Sequence, residues 1–99
     1  MANVFKNVLV NGLTTASDVY TAPAGTNAIV IGFNINNVSV NDCIIDVEVD
    51  SISNLKDFPL PTKISMSPLL GKLVVTAGQS INVASTETVD VIISMIEVS

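Results

Sequence analysis

Apolar and polar residues alternate along most of this chain. In Ile29-Val30-Ile31-Gly32-Phe33-Asn34-Ile35-Asn36, Ile29, Ile31, Phe33 and Ile35 fall on one side of an extended backbone, and Gly32, Asn34 and Asn36 on the other. Ile45-Asp46-Val47-Glu48-Val49-Asp50 divides completely, with Ile45, Val47 and Val49 against Asp46, Glu48 and Asp50. A period of two carried by β-branched residues marks half-buried strands, because successive side chains leave a strand on opposite faces. A helix would scatter the same residues around its circumference.

The same pattern predicts strands near Val4–Val10, Asp18–Thr21, Lys72–Val75, Ser80–Ser85 and Val89–Val98. Lys56–Ile64 is extended but carries Pro59 and Pro61, which lack the N–H a central ladder needs, so it belongs at an edge or in a loop. Ala22-Pro23-Ala24-Gly25 fits a β-turn with proline second, and Val38–Asp42 reads as a polar loop. Thr76-Ala77-Gly78-Gln79 is expected to close a tight hairpin between the strands on either side. Ser65–Gly71 is a longer connection, Thr86–Thr88 leads into the last strand, and Ser51–Phe58 has room for one helical turn. Seven to eight short strands with frequent turns predict an all-β fold, a single antiparallel β-sandwich or jelly roll. It occupies one domain over residues 1–99, with residues 1–7 set apart as a candidate extended N-terminal arm.

The last strand departs from simple alternation. Val89, Val91, Ile93 and Met95 form one stripe, while Ile92, Ile96 and Val98 stand on the other side beside Asp90 and Ser94. In a sandwich of this size such a strand either takes its second cover from a neighbouring subunit or simply leaves a few aliphatics exposed, as single apolar surface residues commonly are. Ile92, Ile96 and Val98, with Phe5 and Leu9 of the first strand, are the candidate residues of an oligomer or other protein–protein interface.

Composition narrows the chemistry. Charged residues make up 13% of the chain and apolar ones 48%, so the sequence folds and its polar surface is built from Asn, Ser and Thr. Uncharged polar groups are easier to bury against a partner than ions are. With a net charge of −5, no Arg, no His and four scattered lysines, the chain is a poor partner for nucleic acid or anionic lipid. Its single cysteine, Cys43, cannot form an intrachain disulfide and reads as a small buried residue. The start Met1–Lys6 lacks the pattern of a signal peptide, and no apolar run approaches transmembrane length, so synthesis and folding are expected in a cytoplasm.

Catalytic constellations are missing. Without His there is no Ser–His pair and no imidazole metal site, and the isolated glycines build no phosphate loop, so no enzyme and no cofactor is expected. The carboxylates Asp46, Glu48 and Asp50 are the one weak candidate for a metal site. They are expected on one face of one strand, roughly 6–7 Å apart along it, where a hard cation has oxygen ligands but nothing wraps around it. A solvated, like-charged face that discourages edge pairing is the simpler reading. Asn37-Val38-Ser39 matches a glycosylation sequon, which we attribute to chance.

Several segments together resemble a family of short virion structural proteins of tailed bacteriophages. They are Tyr20-Thr21-Ala22-Pro23-Ala24-Gly25-Thr26-Asn27-Ala28-Ile29-Val30, Ile35-Asn36-Asn37-Val38, Gly78-Gln79-Ser80-Ile81-Asn82-Val83 and Asp90-Val91-Ile92-Ile93-Ser94-Met95-Ile96-Glu97, and the similarity runs from about Val8 to Ser99. The resemblance implies a non-enzymatic β-sandwich component present in many copies. Its leading form is a capsid decoration or cement protein, a homotrimer or other homo-oligomer bound to major capsid or other virion proteins and assembled in the host cytoplasm. A neck, collar or tail adaptor and fibre-base component is the first alternative, and a host-surface adhesion module the second. No nucleic acid, membrane or small-molecule substrate is expected as a partner.

Overall fold

The computed structural model describes residues 3–69 and 71–99. They form nine strands and no helix: β1 (Asn3–Leu13), β2 (Ser17–Thr21), β3 (Asn27–Asn37), β4 (Cys43–Val49), β5 (Ile52–Leu60), β6 (Ser65–Met66), β7 (Leu73–Val75), β8 (Ser80–Ser85) and β9 (Val89–Val98). One antiparallel sheet runs β1-β9-β3-β6, with β7 beside β6 in the same lane along β3; the other runs β2-β8-β4-β5. The pairing is nested. The first strand lies against the last, the second against the eighth, the third against the sixth and seventh, and the fourth against the fifth. A chain doubled on itself and rolled into two facing sheets in this way is a jelly roll.

Nine strands replace the expected seven or eight because one lane is broken. β6 pairs with Ile35 and Asn36, and β7 with Ala28–Val30, at opposite ends of β3. The room for a helical turn at Ser51–Phe58 is taken instead by β5, an edge strand as its Pro59 requires. From Asn3 onward the expected arm is part of β1, paired with β9, and Met1 and Ala2 lie outside the described residues.

Inner faces of the two sheets supply one core. Val89, Val91, Ile93 and Met95 pack from β9, as the alternation predicts, against Ile45 and Val47 of β4 and Ile81 and Val83 of β8, all essentially inaccessible to solvent. Cys43 is buried and free. In β3 the alternation changes phase. Val30 pairs with Met95 and Gly32 with Ser94, so Ile31 is an extra residue opposite a single step of β9. This β-bulge re-aims everything beyond it. Ala28 and Val30 point into the core before it, Phe33, Ile35 and Asn37 after it, and Ile31 is half exposed instead of sharing a core face with Phe33.

Two turns also differ from expectation. Thr76–Gln79 closes with the Gln79 N–H donating to Thr76 O at 2.9 Å, but it carries the chain from β7 in one sheet to β8 in the other. It is therefore a corner, held by the Gly78 N–H donating to Ala22 O at 2.9 Å and the Ala22 N–H to Gln79 O at 3.0 Å. The second turn spans Pro23–Thr26, closed by the Thr26 N–H on Pro23 O at 3.0 Å, so proline stands first rather than second. Gly25 takes its φ of +74°, the left-handed value that glycine adopts without steric cost.

Candidate functional site: the outer face of the five-stranded sheet

The five residues marked as an interface in the sequence lie on one surface. Phe5 of β1 is directly opposite Ile96 of β9, Leu9 is opposite Ile92, and Val98 lies between Asn3 and Asn27. All point away from the core, because the inward positions of β9 are Val91, Ile93, Met95 and Glu97. The register extends the first pair across the sheet: Ile96 faces Ile29 of β3, and Ile29 faces Val74 of β7. Phe5, Ile96, Ile29 and Val74 thus form an apolar row across four strands. Ile31 adds to it, thrown outward by the bulge. Phe5 is 78% exposed, Leu9 71%, Val74 54% and Ile92 48%.

Between the apolar rows runs a polar one. The Ser94 hydroxyl donates to Asn7 Oδ1 at 2.9 Å, and Ser94 is paired on its other side with Gly32. The small side chains of Ser94 and Gly32 lower the surface here. A cleft of about 120 Å³ is lined by Phe5, Lys6, Asn7, Ile31, Ser94 and Met95, and a second of about 250 Å³ by Leu9, Val10, Asn11, Asp90, Val91 and Ile92.

Charge is divided between the two sides of the molecule. From the Asn3–Val98 pair to the Leu9–Ile92 pair, the outward positions of β1, β9 and β3 are apolar residues, Asn, Ser or Gly. Lys6, the one charged residue of β1, turns inward, its Nζ 3.9 Å from Glu97 Oε2 and 5.8 Å above the Tyr20 ring. The four-stranded sheet carries carboxylates outward, with Asp18 accepting from Asn82 Nδ2 at 3.0 Å, and Asp46 and Glu48 beside Ile44 on β4.

Asp46, Glu48 and Asp50 do not form the expected row. Asp46 Oδ1 accepts from the Asp57 N–H at 2.6 Å, fixing a bulge in β5 where Asp57 has a φ of +51°. Asp50 leaves the strand altogether and forms the β4–β5 hairpin turn with Ser51. Among the described residues no three His, Cys, Asp or Glu side chains come together as metal ligands.

The sequon residue Asn37 has a structural task. Fully buried, it donates from Nδ2 to Asn41 O at 2.9 Å and Leu60 O at 3.1 Å, and accepts at Oδ1 from the Ser39 N–H and hydroxyl. Ser39 O in turn accepts from the Thr62 hydroxyl, and Asp42 Oδ1 from the Thr62 N–H at 3.0 Å. These bonds tie the Val38–Asp42 loop to the chain after β5.

Sequence reasoning missed Ile31 and Ile29 as surface residues, because unbroken alternation assigns both to the core. The signal present was Gly32, since a glycine inside a strand often accompanies a bulge. No family model matches this chain, and neither does any curated protein or solved structure.

Proposed function

We propose that this chain is a structural component of a virion, a capsid decoration protein of a tailed bacteriophage. It acts by binding rather than by catalysis and docks the outer face of β1, β9, β3 and β7 onto capsid subunits. The observation that carries the reading is the uncharged apolar row Phe5–Ile96–Ile29–Val74 with Leu9, Ile92 and Ile31 beside it. Covering this row removes apolar surface from water at about 25 cal/mol per Å², and its neighbours Asn7, Ser94 and Asn34 need only hydrogen-bond partners. No ion stands within the row itself, and the charges nearest it, Lys6 and Asp90, lie at its margins, so the usual penalty of desolvating ions stays small. The identification with phage virions rests on the sequence resemblance. Many weak copies on a shell sum to substantial mechanical reinforcement.

Cryo-electron microscopy of intact particles tests the proposal. Density for this chain is expected in many copies on the capsid surface with β1 and β9 facing the shell; density confined to the tail or neck overturns the assignment. Ile92→Asp, which places a charge on β9 at one end of the face, is expected to fold normally and to lose particle binding.

A further inference from the structure

The four sheet edges of this jelly roll are not alike. β5 is an edge blunted by two bulges, Pro59, Lys56 and Asp57. β2 is five residues long, and β6 and β7 are fragments of two and three. Such short or distorted edges do not accept another strand. β1 is different: it is eleven residues long, and its register with β9 is unbroken from Asn3 to Val10. It contains no proline and no carboxylate. Among the described residues its other side has no strand partner.

β1 is also nearly symmetric about Asn7. Val4 mirrors Val10, Phe5 mirrors Leu9, Lys6 mirrors Val8, and Asn3 mirrors Asn11. We infer that two copies of this chain pair through β1, antiparallel, with Asn7 on the two-fold axis. Phe5 then stands opposite Leu9 of the second copy, Val4 opposite its Val10, and the two Asn7 amides meet each other. Antiparallel pairing keeps odd positions opposite odd ones, so the outward faces of both sheets lie on one side. The row Val74–Ile29–Ile96–Phe5 is continued by Leu9 and Ile92 of the second copy.

Charge favours this edge over β2 and β5, and length favours it over β6 and β7. Each copy carries a net charge of −5, and carboxylates stand on β2, β4 and β5. β1 brings none to the contact, and Lys6 meets Val8 of the second copy, not another lysine. The pairing differs from the expected trimer in being two-fold. It rests on the reading that the chain works by association, and on nothing about its place in a virion. A single strand pairing is a small contact, so the dimer is a weak one that a larger surface reinforces.

Sedimentation of the full chain across a concentration series, without particles, tests the inference. Wild type is expected to pass from monomer to dimer. Asn7→Asp still accepts the Ser94 hydroxyl, so the monomer is undisturbed, but it sets two carboxylates face to face. Its dimer dissociation constant is expected to rise at least about tenfold, with an unchanged circular dichroism spectrum. Asn7→Cys is expected to cross-link under mild oxidation, because directly opposed residues have Cα atoms about 4.5–5.5 Å apart, within disulfide reach. Leu9→Cys alone is not, while a mixture of Leu9→Cys and Phe5→Cys chains is; buried Cys43 is the background control. A wild-type chain that stays monomeric at about 1 mM overturns the inference. So does a dimer that Asn7→Asp leaves intact and Asn7→Cys fails to cross-link. Loss of particle binding by Ile92→Asp with dimerisation retained separates docking from pairing.

Discussion

The Tyr20 hydroxyl donates a 2.6 Å hydrogen bond to Glu97 Oε2, joining β2 of one sheet to β9 of the other. Tyr20 is 6% exposed and Lys6 lies over its ring, so the bond sits at the margin of the core between the sheets. Burial first, then the bond to Glu97 and the charge of that carboxylate, hold the phenol far above its ordinary pKa. Tyr20→Phe keeps the ring and removes the donor, and is expected to lower stability by about 1–2 kcal/mol in urea titrations. The pH dependence follows from linkage. A pKa raised by folding stabilises the native state fully below the unfolded value, about 10 for tyrosine, and that stabilisation fades as pH rises through the folded value. Wild type is therefore expected to lose stability above about pH 10 more steeply than Tyr20→Phe.

Asn37 gives the second prediction. Its side chain makes four hydrogen bonds with no exposure, and its main chain adds two, donating to Ile64 O and accepting from the Lys63 N–H. Asn37→Ala leaves the Leu60 and Asn41 carbonyls and the Ser39 donors short of partners, and is expected to cost about 2–4 kcal/mol. Asn37→Asp is expected to be worse at neutral pH, since it turns a donor to two carbonyls into a buried anion facing them. Chemical denaturation of the three proteins gives the order. Ser39→Ala, which removes one donor to Oδ1 and leaves the amide in place, is expected to fall between wild type and Asn37→Ala.

The bulge at Ile31 separates two readings of β3 by experiment. Under uninterrupted alternation Ile31 is core and Val30 is surface; the register makes Val30 inaccessible and Ile31 half exposed. Val30→Ala is expected to destabilise by about 2 kcal/mol, and Ile31→Thr by under about 1 kcal/mol. Thermal melts of the two variants distinguish these outcomes, and the opposite order would remove the bulge from the solution structure.

The same residues explain what was legible before the fold was known. The stripe Val89, Val91, Ile93 and Met95 is local information: four branched or flexible apolar residues at period two need only one strand to be read. The outward placement of Ile92, Ile96, Phe5 and Leu9 was legible for the same reason, as apolar positions on the second side of a strand. What was not legible depends on partners. The extra residue at Ile31 is defined only against β9, and Thr76–Gln79 becomes a corner only because β7 and β8 pair with β3 and β2. Asn37 reads as loop chemistry until the chain after β5 returns to cover it.

The β4–β5 turn offers a gain of stability. Val49 pairs with Ile52, leaving Asp50 and Ser51 as a two-residue loop with φ of +51° and +67°. Positive φ at both central positions defines a type I′ turn, whose twist matches that of the flanking strands and which favours Asn-Gly. Aspartate tolerates the left-handed region through its short polar side chain, but serine has no such advantage and carries a Cβ against the steric limit. The Asp50 N–H donates to Ser80 O at 2.9 Å, so the turn is also tied to β8 and the first position should keep its main chain. Ser51→Gly is therefore expected to raise stability by about 0.5–1 kcal/mol, and Asp50→Asn with Ser51→Gly by slightly more. An increase in the urea midpoint with unchanged slope is the expected signature; a decrease would mean that the backbone here does not hold positive φ.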